Sequence, residues 1–118
     1  MSTPEDLRDR TKTYAIRIVR LYRSLPHTAD AQVVGKQLLR CGTSVAANYR
    51  AACRGRSRAE WIAKIGLVVE EADETVFWLE MLSDCEIVPV KRCEDILKEA
   101  RELSAIFTAS QHTARRAG

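Results

Sequence analysis

Residues 57–84 read SRAEWIAKIGLVVEEADETVFWLEMLSD, and their spacing decides the fold. Ser57-Arg58-Ala59-Glu60 has the capping-box pattern, a hydroxyl and a carboxylate three residues apart that close a helix N-terminus. Trp61, Ile65, Val68, Ala72, Thr75, Leu79 and Leu82 then recur at steps of three and four, the seam of a helix. Ile62, Val69 and Val76 widen that seam until a single neighbour cannot cover it. A helix of this kind packs between two others.

Working outward, the same rhythm appears three more times. Residues 4–24 place Leu7, Thr11, Tyr14, Ile18 and Leu21 on one face, continued by Leu25 and stopped by Pro26. Residues 30–53 open at Asp30, read as the N-cap, and align Val34, Leu38, Cys41, Val45, Asn48 and Ala52. Residues 89–110 begin at Pro89 and align Cys93, Ile96, Ala100, Leu103, Phe107 and Ser110. Residues 111–118 read as a frayed tail. Short connections make sequential helices antiparallel neighbours. The prediction is an all-α, antiparallel up-and-down four-helix bundle, a single domain over residues 1–118.

Composition agrees. The 118 residues are 46% hydrophobic and 30% charged, with only 5 Gly and 3 Pro, too little punctuation for an all-β fold. No apolar run approaches the ~20 residues of a membrane span. The acidic start Ser2-Thr3-Pro4-Glu5-Asp6 is not a signal peptide, which points to the cytoplasm. Cys41, Cys53, Cys85 and Cys93 contain no C-x-x-C pair and lie far from His27 and His112, so they read as buried thiols and not metal ligands.

Catalytic patterns are missing. Glu70-Glu71-Ala72-Asp73-Glu74 offers carboxylates, but no Glu-x-x-His completes a two-metal bundle site. Glycine-rich phosphate loops are absent as well. The expectation is no enzyme, no metal and no cofactor.

Charge carries more information. Residues 1–56 hold 11 Lys/Arg against 4 Asp/Glu, whereas residues 57–118 hold 8 against 12. Arg17, Arg20, Arg40, Arg50, Arg54 and Arg56 are the candidate nucleic-acid contacts, through phosphates rather than bases, because no aromatics interleave them. A rival account pairs Arg40 and Arg56 with Glu71, Glu74 or helix C-terminal carbonyls, within or between subunits, and makes them structural. We favour a division of labour, in which Arg56 and Arg40 hold the bundle together while Arg17, Arg20, Arg50 and Arg54 face the ligand. A polar seam is expected from Gln37, Ser44, Asn48 and Glu74, with Asn48 largely buried and fixing helix register. Phe77, Trp78 and Met81, outside the main seam, are the candidate oligomer interface or a cover for a loop or the last helix. Gly66, inside a helix, marks a possible close crossing.

The stretch from Gln37 to Ala52, with Arg54-Gly55-Arg56-Ser57 and Glu70-Glu71-Ala72-Asp73-Glu74-Thr75, resembles a bacterial four-helix-bundle family. That family includes proteins encoded in intervening sequences of 23S ribosomal RNA genes. The accessory variability determinant of diversity-generating retroelements is a relative. Gln37, Arg40, Ser44, Asn48, Arg56, Ser57 and Glu74 carry the likeness. The resemblance implies a ring-shaped homopentamer with a central pore, a role in binding RNA or DNA, and no catalytic activity. Partners would then be further copies of the chain, RNA or DNA, and no membrane. The alternative is an adaptor that acts only through protein contacts.

Overall fold

The computed structural model describes residues 2–116. Four helices account for nearly all of them: α1 (Pro4–Arg23), α2 (Ala29–Cys53), α3 (Arg58–Asp84) and α4 (Val90–Arg116). The described residues contain no strand, and no helix among them is long and apolar enough to cross a membrane.

Each helix start has a local cause. Thr3 and Asp6 form a complete capping box at α1, each side chain accepting from the other's backbone N–H at 3.0 Å. Those bonds, backbone first, hold the Asp6 carboxyl below its ordinary range. At α3, Ser57 accepts from the Glu60 N–H, while the Glu60 carboxylate reaches one residue past Ser57 to the Arg56 N–H at 2.7 Å. Helix α2 begins earlier than the sequence suggests. Its N-cap is Thr28, and Asp30 sits in the first turn, where its carboxylate accepts from the Ala31 N–H. A carboxylate there is favourable for the helix dipole without being the cap.

Helix α3 ends in a Schellman arrangement. The Ile87 N–H donates to the Leu82 carbonyl and the Glu86 N–H to the Ser83 carbonyl. Glu86 pays for this with a left-handed backbone, φ 57°. Helix α4 runs to Arg116, beyond the end at 110 read from the sequence; Ala117 and Gly118 lie outside the described residues. The Arg58 guanidinium, donating to the Ala114 carbonyl at 2.6 Å, holds that added length against the start of α3.

Neighbouring helices run antiparallel throughout. Ile18 meets Gly42 across α1 and α2, and Tyr49 meets Trp61 across α2 and α3. Arg101 pairs with Glu80 across α3 and α4, and Arg10 with Glu99 across α4 and α1. This is the up-and-down bundle the periodicity predicts. The seam of α1 is buried as read from Leu7 to Leu25, and that of α4 from Cys93 to Phe107, with its last member Ser110 half-buried.

The seam of α2 is buried as read at Val34, Leu38, Cys41, Val45 and Ala52 but departs at Asn48. Asn48 is half-buried, and Tyr49, 2% exposed, takes the core position at that level. An α-helix drifts by about 20° per heptad against a strict 3.5-residue repeat, so a long seam must step by one residue. Tyr49 repays the step: its ring lies 5.0 Å from Phe107 and 6.2 Å from Trp61. Two glycines of α2 also matter. A Cβ on Gly35 would stand 2.6 Å from Leu25 Cδ1, and one on Gly42 2.9 Å from Ile18 Cγ2. Gly66 needs no such allowance, since a Cβ there meets only Gln111 at 3.4 Å.

Candidate functional site

The arginines fall into two groups. Arg10 donates to Glu99 at 2.5 and 2.8 Å and to Glu102 at 2.8 Å, and Arg17 pairs with Asp95 at 2.9 Å. These bonds cross the α1/α4 seam, where the two helices make the least backbone contact. Arg40 on α2 bridges Glu71 and Glu74, one turn apart on α3, and its Nε reaches Gln37. Trp78 joins the same cluster by donating its indole N–H to Glu74 at 3.1 Å. These cations already have carboxylates.

Other cations have none. Among the described residues Arg8, Lys12, Arg50 and Arg54 make no ion pair, and they converge on one open groove between α1 and α2. The groove encloses about 520 Å³ and is completed by Asp9, Thr43, Ala46 and Ala47. Its lining combines small side chains of α2 with long basic ones from both helices. Of the six arginines singled out from the sequence, the structure brings Arg50 and Arg54 together here. Arg17 and Arg20 line a separate cleft between α1 and α4, with Arg92, Leu21, Ser24 and Ile96. Arg56 is exposed in the α2–α3 turn; its backbone N–H meets Glu60, and among the described residues its guanidinium makes no hydrogen bond or ion pair. Arg8 and Lys12 flank the polar face of α1 in the sequence, but their apposition to Arg50 and Arg54 depends on which edges of α1 and α2 meet.

The polar seam lies at the rim of the α2/α3 interface rather than inside it. Gln37, Ser44 and Asn48 are half-buried, and neither Ser44 nor Asn48 has a side-chain hydrogen bond among the described residues. Beside them α3 exposes Leu67 (43%) and Phe77 (50%), with Trp78 and Met81 half-buried. Phe77 and Trp78 stack edge to face, centroids 4.8 Å apart. Val33 on α2, 63% exposed, lies level with this group, because seven residues back from Arg40 match seven onward from Glu74 in an antiparallel pair. The face therefore combines large apolar side chains with amides that still have bonding capacity.

One grouping was not visible in the sequence. Cys41 Sγ and the carboxylates of Glu71 and Glu74 lie within 4.8 Å of one another. Such donors can hold a cation, and Arg40 supplies one: its guanidinium contacts both carboxylates. Burial pushes the Cys41 thiol above its ordinary range, which keeps it protonated while it donates to the Leu38 carbonyl. Deeper still, Tyr14 Oη is buried with no hydrogen-bond partner among the described residues, and that burial raises its pKa. Thr11 and Thr75, also buried, satisfy their hydroxyls on the carbonyls of Leu7 and Glu71. All four cysteines are free thiols, but only Cys41 and Cys93 are buried as expected; Cys53 is half-buried and Cys85 is exposed where α3 ends.

Comparison with known proteins fits this picture. The family described as 23S rRNA-intervening sequence protein matches residues 6–109. No curated protein matches the chain. A crystal structure from Bacteroides thetaiotaomicron, of a protein with unknown function from the S23 ribosomal protein family, superposes with a TM-score of 0.85. The two are 34% identical, over 92% of this chain and 97% of that one. The match spans all four helices together with Arg40, Glu71 and Glu74, and on it the chain belongs to the 23S rRNA-intervening sequence protein family.

Proposed function

We propose that the protein is a non-catalytic, cytoplasmic homo-oligomer that binds RNA or DNA through phosphates, using the α1/α2 groove. One observation carries this reading. The cations that the bundle uses for its own cohesion are paired, while Arg8, Lys12, Arg50 and Arg54 are left together without carboxylate partners in one groove. Like charges converge at a cost, which a polyanion recovers by releasing its counterions. The apolar α2/α3 face, with Val33, Leu67 and Phe77 exposed, supports self-association. The family resemblance supports a ring of five. The two faces are distinct, so assembly leaves the groove open and multiplies it, and binding gains by avidity.

The test compares Arg50→Gln with Arg54→Gln, and both with Phe77→Ser, by light scattering and by nucleic-acid affinity across a salt series. Neutralising a groove arginine should leave oligomer size unchanged. It should weaken binding to every sequence alike, with the salt slope falling by roughly 0.9 per contact on duplex DNA. Phe77→Ser should shrink the oligomer. Unchanged affinity in both arginine variants, with assembly intact, would leave an adaptor that works through protein contacts alone.

A further inference from the structure

The α1/α2 groove contains two groups that phosphate binding does not explain. Asp9 is exposed, sits among Arg8, Lys12, Arg50 and Arg54, and makes no ion pair among the described residues. A carboxylate there repels phosphate. Thr43 lines the same groove, and its hydroxyl hydrogen is committed to the Leu39 carbonyl at 2.7 Å. With that hydrogen committed, the Thr43 oxygen can only accept from a ligand in the groove. The site thus presents two hydrogen-bond acceptors flanked by four cations.

Resting on the reading of the groove as a phosphate site, we propose that its ligand is double-stranded RNA, with Asp9 and Thr43 accepting from ribose 2′-hydroxyls. A 2′-hydroxyl is a neutral donor that recurs beside each phosphate, which matches acceptors set between cations; deoxyribose has nothing to place there. Stacked duplex rather than unpaired strand follows from the lining. The groove has no aromatic side chain on which a splayed base could stack. Ala46 and Ala47 in its lining place only methyl groups between a sugar–phosphate ridge and the helix backbone. A-form RNA exposes its 2′-hydroxyls along a wide, shallow minor groove, within reach of such a ridge-reading surface.

The experiment measures fluorescence anisotropy with three probes at one salt concentration: an RNA duplex of about 16 base pairs, a DNA duplex of the same sequence, and one RNA strand alone. The RNA duplex should bind about tenfold more tightly than the DNA duplex, the worth of one hydrogen bond to a charged acceptor. Asp9→Ala should collapse that ratio, chiefly by raising affinity for DNA, and Thr43→Val should narrow it. Asp9 is exposed and without an ion pair, so its variant keeps the fold, which a melting curve verifies. Equal affinity of the wild type for both duplexes, preference for the single strand, or an unchanged ratio in both variants overturns the assignment while leaving phosphate binding in place. No binding of any probe overturns the assignment together with the function on which it rests.

Discussion

Gly42 of α2 lies against Ile18 of α1 so closely that a Cβ on the glycine would stand 2.9 Å from Ile18 Cγ2 and 3.3 Å from its Cβ. The obstructing atoms include the root of a branched side chain, which cannot swing away. Gly42→Ala should therefore cost about 1–3 kcal/mol by overpacking, against any helix-propensity gain. Gly66→Ala, at an open position, should instead gain up to ~1 kcal/mol. Urea unfolding of the two variants checks the opposite signs. A stabilised Gly42→Ala would mean that α1 and α2 do not approach this closely.

Glu86 holds the left-handed position after α3, at φ 57°. Side chains other than glycine lose roughly 1–2 kcal/mol there. Glu86→Gly should recover about 1 kcal/mol after the added freedom of the unfolded chain is counted. Thermal melting should show a rise of several degrees for a domain of this size. No rise, or a fall, would remove the strain argument.

Glu99 gives the fold an acid limit. Hydrogen bonds from Arg10, its largest influence, hold its carboxyl below the ordinary range despite partial burial. A depressed folded pKa adds stability above the unfolded value of about 4.3 and loses it as pH falls through the lower folded value. Glu99→Gln should cost about 1 kcal/mol at pH 7, with both partners mostly but not fully covered. The cost should shrink toward pH 3. Urea midpoints of the two proteins at pH 7, 5 and 3 decide it: a gap that does not narrow would assign the effect to packing.

The fold was legible because α1 and α4 each turn one continuous seam inward, and spacing alone reports that. Gly35 and Gly42 were missed because a glycine reports nothing about which neighbour comes close. Asn48 was placed one residue out, since a strict seven-residue count ignores helical drift over the 25 residues of α2. The groove was half legible. Arg50 and Arg54 stand out as charges on one helix, whereas Arg8, Asp9, Lys12 and Thr43 join them only through the packing of α1 on α2. The pairing of Arg40 with Glu71 and Glu74 was legible, whereas Arg17 looked equivalent to Arg50 until Asp95 on α4 was in place.

Arg40, gripping two carboxylates one turn apart on α3, works as a detent on sliding. A slip of α3 by one turn, about 5.4 Å, would leave one carboxylate behind and carry Trp78 away from the cluster. Tyr49 against Trp61 adds a second stop near the other end of α2. The alignment of the hairpin is thus held by its sides rather than by its turn. The exposed turn between α2 and α3 is free to change length, and doubling it would add only about 0.6 kcal/mol of closure entropy. A tag or a guest segment placed there would find the two helices still in step.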